Sequence, residues 1–174
     1  MVDNTAFLKG VLHREAASET SLPSFGEIGL NFFVPYLMNR IAATWNADLA
    51  AELRKFNLTT PQMRVLAVLS ITSGLTINEL SVLTVTEQST MSRTLDVLEN
   101  RGLVKRGFRA NDMRVREVLV TSEGRNAFAE FWPIMFNRYE QMFRDIGDEE
   151  FTQLVVTLQK ILRNIRLDNS ATSQ

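Results

Sequence analysis

The chain of 174 residues has no cysteine and one histidine, His13. Without thiols there is no disulfide, no thiolate metal site and no cysteine-based redox sensor, and a lone histidine forms no metal or catalytic cluster. There is no glycine-rich nucleotide loop and no convincing pair of carboxylates at a predicted cleft, so an enzyme is not expected, nor is a cofactor. Asp148, Glu149 and Glu150 are better read as the first turn of a helix, where acids favour the positive end of the dipole. No apolar run reaches the length of a membrane span and the N-terminus lacks a signal-peptide core, so cytoplasmic residence without a membrane partner is the expectation. Strong net charge is missing too: 19 basic residues meet 20 acidic ones, for a formal charge of -1. What is present is 45% hydrophobic and 22% charged residues, the composition of a folded globular protein.

The most informative stretch runs from Thr76 to Thr121. Thr76 stands three residues before Glu79, a reciprocal capping arrangement, and Leu80 and Leu83 supply a short apolar stripe behind it. Thr84, Val85 and Thr86 break that helix, and Thr86 is the expected N-cap of a second one from Glu87 to about Asn100. At helical spacing Met91, Leu95 and Leu98 share one face, with Ser89, Arg93, Asp96 and Asn100 roughly opposite and Thr90 at the margin. Two small hydroxyls and an arginine near a helix N-terminus form a surface that can enter a groove, or simply a solvated face. Gly102 is the expected C-cap glycine. Leu103 to Phe108 and Arg116 to Thr121 then read as the strands of a hairpin, separated by a polar tip from Arg109 to Val115.

Charge gives this module a functional direction. Between Arg101 and Arg116 there are six basic residues (Arg101, Lys105, Arg106, Arg109, Arg114 and Arg116) and one acid, Asp112. In a chain of nearly zero net charge, such a cluster is the electrostatic footprint of a polyanion partner, with a solvated loop or an acidic protein partner as the alternatives.

The flanks are helical. Phe33, Leu37, Ile41, Trp45, Leu49 and Leu53 recur every four residues after a possible capping pair, Ser24 and Glu27. Thr59 with Gln62 caps another short helix closing before Gly74, so three short helices precede the hairpin: the core of a helix-turn-helix domain with a wing. Thr121 can cap a long helix rich in aromatics and methionines, in which Pro133 predicts a bend. A final helix carries Phe151, Leu154, Val155, Leu158, Ile161, Leu162 and Ile165. The expected fold is therefore mainly α with a small β wing, a winged helix-turn-helix reader joined to a helical dimerisation region. The corresponding divisions are an N-terminal extension (1–23), a winged-helix domain (24–167) with dimerisation helices (24–57 and 122–167) around a DNA-binding part (59–121), and a disordered tail (168–174). The long helices either enlarge one core or interleave with a second copy; the dimer is preferred, because a two-fold reader engages two half-sites.

These residues resemble the MarR family of winged helix-turn-helix transcriptional regulators. The resemblance rests on Leu75-Thr76-Ile77-x-Glu79-Leu80, on Thr90-Met91-Ser92-Arg93-x-Leu95-x-x-Leu98-Glu99-x-x-Gly102-Leu103-Val104-x-Arg106, on Asp112-x-Arg114, and on Val118-x-Val120-Thr121-x-x-Gly124. Val120 stands where leucine is more usual. The resemblance implies a homodimer binding a palindromic or near-palindromic operator on double-stranded DNA, commonly a repressor released by a small apolar or aromatic effector, although some members activate. It makes Ser89, Thr90 and Arg93 the major-groove candidates and Arg114 the wing arginine that enters the minor groove. Arg93 can read guanine or hold a phosphate. Lys105, Arg106 and Arg109 are expected beside phosphates, and Asp112 is expected to orient Arg114 or another nearby arginine. Tyr36, Met38, Trp45 and Phe136 are candidates for lining an effector crevice. A non-enzymatic protein-interaction adaptor on the same fold, and a sequence-independent DNA binder, are the competing readings.

Overall fold

The computed structural model describes residues 29–109 and 112–171, with side chains described as far as residue 165. His13, the Ser24–Glu27 pair and the 1–23 extension lie outside them. The chain divides into two compact units, one ending at Met63 and the other beginning at Arg64.

In the first unit a 3-10 turn, Leu30–Phe32, leads into helix α1, Val34–Leu53, with Pro35 in its first turn where its missing N–H costs nothing. The helix tightens into a second 3-10 turn, Arg54–Phe56, and stops at Asn57, whose left-handed backbone (φ 53°) suits asparagine. Leu49, Leu53, Leu58 and Met63 are buried, whereas Leu37, Met38 and Ile41 are exposed. Helix α2, Thr60–Ile71, starts as the capping pair predicts: the Thr59 amide donates to Gln62 Oε1 at 2.9 Å and the Gln62 amide to Thr59 Oγ1 at 3.4 Å.

The second unit builds the reader. Helix α3, Ile77–Thr84, opens with the complete Thr76–Glu79 capping box. The Thr76 amide and then its hydroxyl, both donating to the Glu79 carboxylate, hold that carboxyl below its ordinary pKa. Helix α4, Gln88–Asn100, packs against α3 and against strand β1, Val104–Arg109, which pairs antiparallel with β2, Asp112–Val120. Leu75 extends this hairpin by a bridge to Val118. Met91, Leu95 and Leu98 of α4, Val104 of β1 and Val118 of β2 are almost wholly buried, so the predicted apolar face of α4 is indeed its core face.

Two local expectations change. Thr86 is not the N-cap of α4; its hydroxyl is used inside the turn, donating to the Thr84 carbonyl, and Glu87 takes the cap position without a side-chain cap bond. The turn itself places Val85 in the left-handed region (φ 52°), a strained conformation for a β-branched side chain, with that side chain 84% exposed. Strand β2 begins at Asp112 and not at Arg116, so Asp112 and Arg114 are strand residues rather than parts of a polar tip.

Gly102 (φ 69°) ends α4 as expected: the Leu103 amide donates back to the Leu98 carbonyl at 2.9 Å, the six-residue closure of a Schellman motif. After the hairpin, Thr121 accepts from the Gly124 amide at 3.1 Å and caps helix α5, Ser122–Met142. Gly124 must be glycine, because a Cβ there would collide with the Leu103 carbonyl. Helix α5 continues through Pro133, and helix α6 runs from Asp148 to Ala171, so the tail expected to begin at Asp168 is helical to Ala171.

Candidate nucleic-acid interface

Helix α4 exposes the side opposite its core. Taking Ser92 as origin and about 100° per residue, the core residues Met91, Leu95 and Leu98 centre near roughly -90°, while Ser89 and Arg93 lie near about 60° and 100°. Ser89, Thr90 and Arg93 are all exposed, and no carboxylate among the described residues is paired with Arg93. The surface therefore offers two hydroxyls and an unneutralised guanidinium on one outward arc. Gln88, in the first turn, donates to Asn78 Oδ1 of α3 at 2.9 Å, joining the two helices at the edge of that surface.

The hairpin sorts its cations by strand. Val104 opposes Val120, Arg106 opposes Val118 and Phe108 opposes Arg116, so these side chains share one face of the ribbon. At its base that face is buried valine, and toward the tip it carries the exposed Arg116; Arg114, also exposed, lies past the register shift that follows Phe108. The Arg116 guanidinium lies over the Phe108 ring, 5.5 Å from the centroid, and neither it nor the Arg114 guanidinium has a carboxylate partner among the described residues. Arg116 was legible as a member of the basic run, but its place opposite Phe108 depends on the strand register, and Arg114 joins it in one strand only because β2 starts at Asp112.

The arginines of β1 are differently employed. Arg106 is bound to Glu99 Oε2 at 2.8 Å and Asp96 Oδ1 at 2.7 Å, and its backbone amide donates to Glu99 Oε1 at 2.9 Å. Arg109 pairs with Glu117 at 3.3 Å and donates to the Gly74 carbonyl at 3.2 Å, clamping the ribbon to the loop between α2 and α3. Lys105 is exposed and makes no ion pair among the described residues. Asp112 forms no ion pair with an arginine among the described residues; its Oδ1 accepts from the Arg114 backbone amide at 2.9 Å. The short Asp side chain closes a local loop to the amide two residues on, which leaves the arginine side chain unneutralised.

The residues considered for an effector crevice fall on two helices. Tyr36, Met38 and Trp45 are on α1, where helical spacing puts Met38 and Trp45 on one side and Tyr36 opposite; Tyr36 instead lies beneath Arg40, 5.8 Å from ring centroid to guanidinium. Phe136 is on α5, within a run of ring contacts: Phe128 to Trp132 at 5.8 Å, Trp132 to Phe136 at 5.7 Å, Phe136 to Tyr139 at 6.1 Å and Tyr139 to Phe143 at 5.0 Å. Trp132, Phe136, Tyr139 and Met142 are substantially exposed along that helix. No helix among the described residues is long and apolar enough to cross a membrane, and no group of metal-ligating side chains occurs among them.

Comparison with known proteins agrees with this architecture. Residues 56–114 match the model of the MarR family. A MarR-family transcriptional regulator from Silicibacter pomeroyi is 41% identical with a TM-score of 0.77, the match covering 82% of this chain and 97% of that one. A second MarR-family regulator from Silicibacter pomeroyi DSS is 35% identical with a TM-score of 0.76, covering 83% and 97%. The same fold occurs in a DNA complex of MepR from S. aureus, 24% identical with a TM-score of 0.69, covering 79% and 99%. The chain thus belongs to the MarR family of winged helix-turn-helix transcriptional regulators, DNA-binding proteins and not enzymes.

Proposed function

We propose that the chain acts as a homodimeric, sequence-specific repressor of a nearby promoter, released when a small apolar or aromatic ligand binds. The observation that carries the DNA-binding part is the outward arc of α4, with Ser89, Thr90 and Arg93 exposed, in the same compact unit as the unneutralised Arg114 and Arg116 of the wing. In this reading the α4 arc enters the major groove, Arg114 reaches the minor groove, and Arg116 and Lys105 meet phosphates. Arg106 and Arg109, engaged within the protein, support the reader from inside.

Dimerisation is supported by apolar side chains that a solitary chain leaves in water. Val34, Leu37, Met38 and Ile41 on α1, and Leu154, Leu158, Leu162 and Ile165 on α6, are exposed. Sedimentation at micromolar concentration should give twice the chain mass of 19.8 kDa; a stable monomer would remove the dimer. Selection of bound duplexes from a random pool tests specificity and symmetry together. It should return an inverted repeat with half-sites about one helical turn, roughly 34–36 Å, apart. Equal retention of random duplex would instead indicate a sequence-independent binder. Release by a ligand requires tighter binding to the DNA-incompetent arrangement, so an effector must lower affinity for the selected duplex.

A further inference from the structure

The guanidinium of Arg106 does more than cancel charge. It meets α4 at three points: the Ser92 carbonyl at 3.3 Å, Asp96 Oδ1 at 2.7 Å and Glu99 Oε2 at 2.8 Å. Positions 92, 96 and 99 are four and three residues apart, so at about 100° per residue they fall within an arc of roughly 60° on one side of the helix. The β1 backbone joins the same stripe, through the Arg106 amide on Glu99 Oε1 at 2.9 Å. A planar guanidinium with donors in a fixed fork meets three acceptors along two turns of helix, from a strand whose opposing residue, Val118, is 1% exposed. The stripe borders the reading arc directly, since Ser89 and Arg93 lie only about 60–100° further round.

We infer that Arg106 is a positioning residue that sets the rotation of α4 about its own axis relative to the wing, and thereby decides which side chains of α4 face the DNA bases. Turning the helix by one residue, about 100°, would bring Thr90 and Thr94 toward the directions held by Ser89 and Arg93. A core of Met91, Leu95 and Leu98 resists such a turn only through apolar contacts, which lack direction; the three-point polar contact is directional. The charge of Arg106 is spent on Asp96 and Glu99, so it contributes orientation to recognition and no phosphate contact, in contrast to what its place in the basic run suggests.

This inference rests on the proposed DNA-reading function, and its test separates the two. The probes are a duplex selected from a random pool by the wild-type protein and a scrambled duplex of equal length, titrated by fluorescence anisotropy over a range of salt. The variant is Glu99→Gln with Arg106→Met, which removes one positive and one negative group and leaves the net charge unchanged. Its preference for the selected over the scrambled duplex should shrink by at least about tenfold, the scale of one lost base-pair discrimination. Its affinity for scrambled duplex, and the slope of log K against log salt, should stay at wild-type values. A slope lower by about 0.9 per protomer, with both duplexes weakened alike, would mean that Arg106 holds a phosphate and would overturn the inference. Unchanged preference would overturn it as well. Should the double variant fail to fold, Arg106→Lys decides by the same criteria, because an ammonium keeps the charge but cannot span the three acceptors. If the wild-type protein selects no sequence at all, the DNA-reading function itself fails.

Discussion

The two strands of the wing put their arginines to different uses. On β1, Arg106 and Arg109 are bound to Asp96, Glu99 and Glu117 and to the Gly74 carbonyl, and hold the ribbon to α4 and to the loop before α3. On β2, Arg114 and Arg116 form no ion pair with any described carboxylate; the Arg114 amide donates to Asp112 and the Arg116 guanidinium lies over Phe108. Equal charges a few residues apart thus serve two purposes, and a tally of cations along the sequence overstates the number available to a polyanion. Burial does not make the distinction, since Arg109 is 42% exposed and still engaged. The position of carboxylates does.

The sharpest way to break this contrast is to remove the β2 pair. Arg114→Ala with Arg116→Ala should lose most DNA affinity at physiological salt, with the salt slope reduced by about 0.9 for each phosphate contact removed. Gel shifts at several salt concentrations read both effects. Next in size is Arg93→Ala, which should cost about 1–3 kcal/mol at each base pair that Arg93 discriminates and relax selection at that position; a uniform loss across all sequences would make Arg93 a phosphate contact.

On the β1 side, Arg109→Gln should leave the salt slope in place while lowering thermal stability by less than about 1 kcal/mol, the range of a half-exposed ion pair. A changed slope would move Arg109 to the DNA-facing group. The smallest expected effect concerns Glu79. Its carboxyl is held below the ordinary value first by the Thr76 backbone and side chain, with the charge of Arg109 assisting. Because the folded pKa is depressed, the capping contribution is present above the ordinary glutamate pKa and is lost as pH falls through the lowered one. Arg109→Gln should therefore move the Glu79 midpoint slightly upward in an NMR titration, narrowing the acidic window in which the cap survives.

Much of the reader was legible because its signals are local. Thr76 with Glu79, Thr59 with Gln62 and Thr121 before Gly124 announce helix starts through contacts three residues apart, and all three occur. The core face of α4 follows from a period of 3.6. The wing was harder. Arg114 and Arg116 interrupt the apolar alternation at the exposed end of β2, so the sequence pattern starts the strand four residues late. The partners of Arg106 and Arg109 lie 7 to 35 positions away from them, and no spacing rule reaches from Arg109 to Gly74. Thr86 misled because its hydroxyl can serve either a helix or a turn, and the turn took it. Val85 shows what a local rule misses in the other direction: glycine would suit its left-handed backbone, and Val85→Gly should raise stability by about 1 kcal/mol in thermal unfolding.

The most direct measurement is the salt dependence of binding to a wild-type-selected duplex, with the Arg114→Ala/Arg116→Ala protein beside the unaltered one. A clearly shallower slope in the variant, with an unchanged far-ultraviolet spectrum, is the predicted result. Parallel lines of equal affinity would show that the outward arginines of β2 do not touch DNA, and the assignment of this surface as the nucleic-acid interface would be wrong.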